Sequence, residues 1–140
     1  MADRPVLDSD VLIDYLRGGG PGLELVDALR QSVGFLVTAI SAFELAAGRS
    51  YARDPAPVHA LLRMPLLGLT RTAGLRAGAV FRELRSEGHG IDVRDAMQAG
   101  VCLEARRALV TRNLGHFERV HGLRVVHPED WPRDQGSPAA

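Results

Sequence analysis

The chain has 140 residues, 46% hydrophobic and 24% charged, with seventeen basic and seventeen acidic side chains. That predicts one globular domain able to bury about two-thirds of its unfolded surface, and zero net charge excludes a global field that would drive it onto nucleic acid or membrane. The lone Cys102 excludes an internal disulfide framework; with no leader pattern and no apolar run of about 18 residues, a soluble cytoplasmic protein is expected.

All seventeen basic residues are Arg. Pro5-Val6-Leu7 reads as a first buried strand, closed by Asp8. A helix follows from about Ser9 and stops at Gly18-Gly19-Gly20. A second helix is predicted over Pro21 to Gln31. Gly34 to Val37 is the next strand, and one helix is expected from Ser41 to about Arg53. Asp54-Pro55-Ala56-Pro57 breaks it, and a short helix carries Val58 to Met64. Pro65 to Leu69 is a further strand candidate. Thr70 or Thr72 caps a longer helix to about Arg85, and another helix spans Asp92 to Ala105. Ala108 to Val110 is a strand, and Leu123 to Val126 an edge strand. Strands alternating with helices predict an α/β fold with a largely parallel sheet. Residues 1–130 read as one domain, with 131–140 as a flexible Pro- and polar-rich tail.

In such sheets ligands bind beyond the carboxyl ends of the strands. Asp8 directly follows the first strand. Glu44 falls in the first turn of the helix after the second, Asp95 early in another helix, and Asn113 three residues after Val110. Four oxygen-bearing side chains are therefore expected at one edge. Each also has a structural reading. Asp8 or Ser9 can cap the first helix. Ser41-Ala42-Phe43-Glu44 fits a capping box, with Glu44 reaching back to Ser41. Asp92 can cap its helix, Asp95 suits that helix's positive end, and Asn113 suits a turn. None of these explains why the acids share one end of the sheet.

Crowded carboxylates repel. Two charges about 5 Å apart interact with about 3 kcal/mol at an effective dielectric near 20. Three would cost on the order of 10 kcal/mol, comparable with the roughly 5–15 kcal/mol by which a domain is stable. The cluster must take up protons, stay apart or bind a cation, and oxygen ligands suit Mg2+ or Mn2+. Cys102, His116 and His121 are the only candidate zinc set, on weak spacing.

These motifs resemble the PIN-domain ribonucleases, of the VapC type found in bacterial toxin–antitoxin pairs. Val6-Leu7-Asp8-Ser9-Asp10-Val11-Leu12-Ile13 resembles the opening strand and first acid. Thr38-Ala39-Ile40-Ser41-Ala42-Phe43-Glu44-Leu45 resembles the segment of the second acid, and Asp95-Ala96-Met97-Gln98-Ala99 that of the third. Leu109-Val110-Thr111-Arg112-Asn113-Leu114-Gly115-His116-Phe117 resembles the segment of the fourth site position, and Gly122-Leu123-Arg124-Val125 the closing strand. The order covers nearly the whole chain. Asn113 stands where many relatives have Asp, and Gln98 replaces an apolar residue.

The resemblance implies a three-layer α/β/α fold with a central, mainly parallel sheet. It implies an endoribonuclease in which Asp8, Glu44, Asp95 and Asn113 are catalytic and hold Mg2+ or Mn2+. Asp10 and Ser9 would orient those ligands, Thr111 would add a hydroxyl, and Asp92 would stand behind Asp95 or exchange roles with it. Arg17, Arg49, Arg53, Arg112 and Arg119 would flank the edge and hold RNA phosphates, whereas His116 and His121 are given no catalytic role. The resemblance also implies a homodimer and a VapB-like antitoxin that covers the site, in a heterotetramer or larger assembly. Tyr15, Leu16, Phe43, Leu45 and Tyr51 offer apolar surface for such contacts, or simple core packing. Two rivals stand beside it. Asp8-Ser9-Asp10 partly resembles the opening of aspartate-nucleophile phosphatases, which normally use a Lys that this chain lacks. A non-catalytic protein-binding module on the same fold is the other.

Overall fold

Five short strands, all parallel, carry the architecture among the described residues, 3–132 of a computed structural model. In chain order, β1 (Val6–Leu7) leads into α1 (Ser9–Arg17) and α2 (Pro21–Arg30). β2 (Val37–Thr38) leads into α3 (Ala39–Ala46), α4 (Arg49–Arg53) and α5 (Ala56–Leu61). β3 (Leu66–Leu67) precedes α6 (Arg71–Ser86) and α7 (Val93–Ala105). β4 (Leu109–Val110) precedes α8 (Leu114–Phe117), and β5 (Val125–Val126) leads to a 3-10 turn at Pro128–Asp130. β1 pairs with β4, β4 with β5, and β2 with β3. A parallel bridge between Val6 and Leu36 joins the two ladders. There Leu7 N donates to Leu36 O at 3.0 Å and Leu36 N to Pro5 O at 2.8 Å. The strand order is thus β3-β2-β1-β4-β5, with β5 at an edge as its sequence suggests.

Successive strand side chains point to opposite faces, and both faces are buried. Leu7, Phe35, Val37 and Val110 pack with α1, α2 and α5 through Val11, Leu12, Leu25, Val26, Val58 and Leu61. Val6, Leu36 and Leu109 pack the other way, with Leu84, Ala99, Cys102 and Phe117 of α6, α7 and α8. The expected three layers follow from that alternation. Near-continuous apolar runs are what a sheet covered on both faces requires.

Caps and small residues set the helix ends and spacings. Asp8 caps α1, accepting from Ser9 N at 3.0 Å. Gly18 closes α1 in the left-handed conformation, φ 73°, where glycine carries no Cβ penalty. Of the two candidates for α6, Thr70 is the cap, accepting from Ala73 N at 3.1 Å. The α6–α7 contact depends on Gly100. A Cβ there would lie 2.5 Å from Ala73 O and 2.7 Å from Ala77 N, so only glycine lets the two backbones approach.

Three expectations change. The single helix over residues 41–53 is two, because Gly48, extended at φ −81° and ψ 160°, ends one and begins the other. The short helix runs Ala56–Leu61 rather than from Val58, since Pro57 suits its first turn. Trp131, assigned to a tail, is only 2% exposed and belongs to the core against α2. Residues 133–140 of that tail lie outside the described residues. No helix among those described is long and apolar enough to cross a membrane.

Candidate functional site

The carboxyl ends of β1, β2 and β4 gather a polar network. Asp8 leaves β1 and is 7% exposed. Its Oδ1 accepts from Ser9 N (3.0 Å) and Gln98 Nε2 (3.1 Å), and its Oδ2 from Thr111 Oγ1 (2.8 Å). Gln98, 1% exposed on α7, also donates to Ser41 Oγ at 3.0 Å. Thr38 Oγ1 donates to Gln98 Oε1 at 2.6 Å and accepts from Ser41 N at 3.0 Å. One amide therefore ties together the ends of β1, β2 and α7. It occupies the position that the sequence singles out only as a departure from an apolar residue.

Glu44 corrects a sequence expectation. The cap of α3 is Thr38, not Ser41, so Glu44 lies beyond the first turn and forms no capping box. Its Oε1 accepts from Ser9 Oγ at 3.2 Å, and its Oε2 lies 3.8 Å from Arg94 Nη1. Asp95, in the first turn of α7, faces His116 Nδ1 at 3.2 Å. Asp92 does cap α7, accepting from Arg94 N at 2.8 Å. His116 and Arg94 thus touch candidate acids, although the sequence reading gave His116 no role and left Arg94 unmentioned.

Asp10 has the least satisfied environment. Its Oδ2 accepts from Arg112 N (3.0 Å), Asn113 Nδ2 (3.1 Å) and Thr111 Oγ1 (3.4 Å). Its Oδ1 is buried with no hydrogen-bond partner, the one such side-chain atom among the described residues. Asn113 thus presents its amide nitrogen to Asp10. Asp14, which the sequence reading passed over, is buried and accepts from Gly22 N and Arg112 Nη1, both at 2.8 Å. It locks the α1–α2 corner to the loop after β4. Arg17 and Arg49 line a groove that includes Glu44. Arg53 and Arg119 are exposed and touch none of these acids among the described residues.

The acids act on one another electrostatically. Burial first, then the Asp8 charge, raises the pKa of Asp10 to about 6. The same two causes raise Glu44 and Asp95, and burial raises Asp8 against the bonds from Thr111, Ser9 and Gln98. Asp8, Glu44 and Asp95 do not close into a tight cage. The one group among the described residues whose three ligand atoms all lie within 4.8 Å of one another is the exposed Glu83, Glu87 and His121. Glu44 instead leans on Ser9 and Arg94, and Asp95 on His116, which keeps like charges apart. The predicted zinc set of Cys102, His116 and His121 does not come together. His116 sits at Asp95 and His121 between Glu83 and Glu87, while burial pushes the Cys102 thiol far up.

A raised carboxyl pKa means that folding takes up protons. For Asp10 this stability is fully present below about 3.8, its unfolded value, and is lost as pH rises through about 6. The metal-free protein is therefore expected to melt higher at pH 5 than at pH 8. Between those two pH values Asp10 alone contributes about 1 kcal/mol after allowance for solvent screening, or on the order of 4 °C. Thermal melts with chelator across that range check this; a melting temperature that rises with pH would contradict it.

The donor set is chemically suited to a divalent ion. It offers oxygens only, from side chains whose pKa values are raised by burial and then by the neighbouring Asp8 charge, and it leaves Asp10 Oδ1 buried without a hydrogen. A hard cation would relieve both conditions.

Comparison with known proteins agrees with this architecture. Among solved structures, VapBC from Salmonella typhimurium bound to DNA superposes with a TM-score of 0.75 at 21% identity, over 90% of this chain and 98% of that one. VapBC2 from Rickettsia felis, bound to a DNA fragment from its promoter, gives 0.73 at 15% identity, over 91% and 98%. FitAcB from Neisseria gonorrhoeae gives 0.73 at 16% identity, over 90% and 99%. No curated protein sequence matches the chain. The family model described as PIN domain matches residues 6–123, a span that runs from β1 past α8 and holds every candidate acid: the chain belongs to the PIN-domain family.

Proposed function

We propose that the chain is a divalent-metal-dependent endoribonuclease of the VapC type, a cytoplasmic toxin held in check by a VapB-like antitoxin. The observation that carries this reading is the network at the sheet's carboxyl edge. Asp8, Glu44 and Asp95 arrive from three separate elements, burial and then the Asp8 charge raise the pKa values of Glu44 and Asp95, and Asp10 Oδ1 is left unpaired beside them. Asp8, Glu44 and Asp95 would hold Mg2+ or Mn2+, with the Asn113 side chain completing the set once its amide turns from Asp10. Such an ion, when bound, would supply Lewis acidity for activating water and for offsetting charge on the phosphoryl oxygens.

The chain's own groups position the reactants. Thr111 and Gln98 fix the two Asp8 oxygens, and Ser9 fixes Glu44. Asp14 holds the Arg112 guanidinium while the Arg112 backbone N–H donates to Asp10, and from there the guanidinium can meet a phosphate in a forked contact. Arg94 flanks Glu44 in the same way. Substrate RNA would be single-stranded or looped, since its bases can be splayed aside. An aspartate-nucleophile reading is not favoured. Both Asp8 oxygens already accept hydrogen bonds, and the chain has no Lys.

The antitoxin reading draws on a groove of about 190 Å³ with Ile13, Leu16, Leu45 and Val58 along it and Arg17 and Arg49 at its rim. An amphipathic segment with apolar and acidic faces would fit there. Glu44 belongs to the same groove, so its occupant would sit against the acids. Phe43, 60% exposed, adds apolar surface for partner contact, while Leu45 is core and Tyr15, Leu16 and Tyr51 pack against it. A homodimer, and a heterotetramer or larger assembly with antitoxin, complete the proposal. Incubation of the purified chain with total RNA tests the activity. Cleavage is expected with Mg2+ or Mn2+ and none with chelator; cutting that persists in chelator would reject the proposal.

A further inference from the structure

Five of the seventeen arginines line one cavity at the opposite edge of the sheet from the acids. The cavity has a volume of about 540 Å³, and Arg4, Arg76, Arg106, Arg107 and Arg124 border it together with Trp131. Arg4, Arg107 and Arg124 each stand just before a strand, β1, β4 and β5, so the cavity lies at the strands' amino ends. Two carboxylates share its wall, and both are engaged. Asp3 lies 3.9 Å from Arg107, and Glu104 accepts from Thr70 Oγ1 at 2.6 Å. The other four arginines have no carboxylate partner among the described residues. In a chain of zero net charge, this gathers like charge in one concave place, which is costly without a counter-charge.

Arg106 adds an independent sign. It ends α7 in the left-handed conformation, φ 55°, the one non-glycine residue with positive φ among those described. Glycine is the usual occupant of such a position. An arginine there strains the backbone while placing its guanidinium at the cavity, and retained strain points to a use beyond the fold. The volume lies within the range of about 300–1,000 Å³ typical of small-ligand pockets. Guanidinium forks pair with phosphoryl oxygens two at a time.

We propose that this cavity binds a small polyphosphorylated anion, separately from the acidic edge. Trp131, the chain's single tryptophan, reports on it, because its ring carries the Arg124 guanidinium 5.1 Å from its centroid. Tripolyphosphate would be titrated into the full chain with chelator present and ionic strength held constant, following Trp131 emission. The expected result is a saturable change with a Kd below about 1 mM. Calorimetry with ATP forms a second arm, and the tighter of the two identifies the source as free polyphosphate or nucleotide. Arg106→Gly is expected to weaken binding at least tenfold while raising the melting temperature, since glycine relieves the left-handed backbone. Arg76→Gln, at an exposed helical position, should weaken it similarly with no change in melting. Three results would each overturn the site: a response no greater than that to chloride, affinity unchanged in both variants, or binding of an RNA oligonucleotide alone.

Discussion

Asp8→Asn is expected to lower metal-dependent RNA cleavage by about a thousandfold or more while leaving the protein folded. In the proposed role of Asp8, loss of a group that holds the metal would remove charge stabilisation worth several kcal/mol at the transition state. Asparagine still offers an oxygen to Ser9 N and Gln98 Nε2, and Thr111 can turn its hydroxyl to Asp10, 3.4 Å away. With one fewer buried charge, the metal-free variant should melt as high as the parent at pH 8, or higher. Alanine is the weaker test. The sequence alone suggests that Asp8→Ala leaves the fold intact or more stable, but in the structure it would strand the buried Gln98 amide and the Thr111 hydroxyl. Gel assays of RNA cleavage, paired with melting curves, decide the matter. Near-parental cleavage by Asp8→Asn would remove Asp8 from the proposed chemistry.

Gln98→Leu is expected to cost about 4 kcal/mol of stability and lower the melting temperature by roughly 10 °C or more. The side chain is completely enclosed and bonds to Thr38, Ser41 and Asp8. Leucine fills similar space but leaves those three buried polar groups short of a partner, each worth about 1–3 kcal/mol. Asp8 would also lose a bond that favours its charged form, so the melting temperature should fall more at pH 8 than at pH 5. Denaturant titration at the two pH values measures both effects. A stability change under about 1 kcal/mol would mean that the network holds together without this amide.

The strand positions were legible because apolar runs buried on both faces have few other uses in a domain this small. The run Val6-Leu7 followed by Asp8 already implied a strand with an acid at its carboxyl end. Asp95 was legible as an early residue of α7, and Asp92 as that helix's cap. Glu44 was misread locally. Ser41 and Glu44 have capping-box spacing, yet Thr38 supplies the cap once β2 holds it extended at φ −119° and Gln98 accepts its hydroxyl. Local spacing has no means of weighing a partner sixty residues away. Trp131 was lost in a polar, proline-rich segment for the same reason, since its place against α2 depends on where β5 delivers the chain. The basal cavity was also hidden, because apart from the adjacent pair Arg106 and Arg107 its arginines, Arg4, Arg76 and Arg124, are scattered along the sequence.

By itself the sequence determined the element types, the parallel sheet and the order in which oxygen-bearing side chains reach its carboxyl edge. These follow from short-range periodicity and from the alternation of strand and helix. Only the tertiary structure decided which hydroxyl caps α3, which amide holds Asp8, where His116 and Arg94 meet the acids, and that five arginines ring one cavity. Those outcomes are settled by contacts between residues distant in the chain, and their free energies exist only once the sheet has brought the strand ends together.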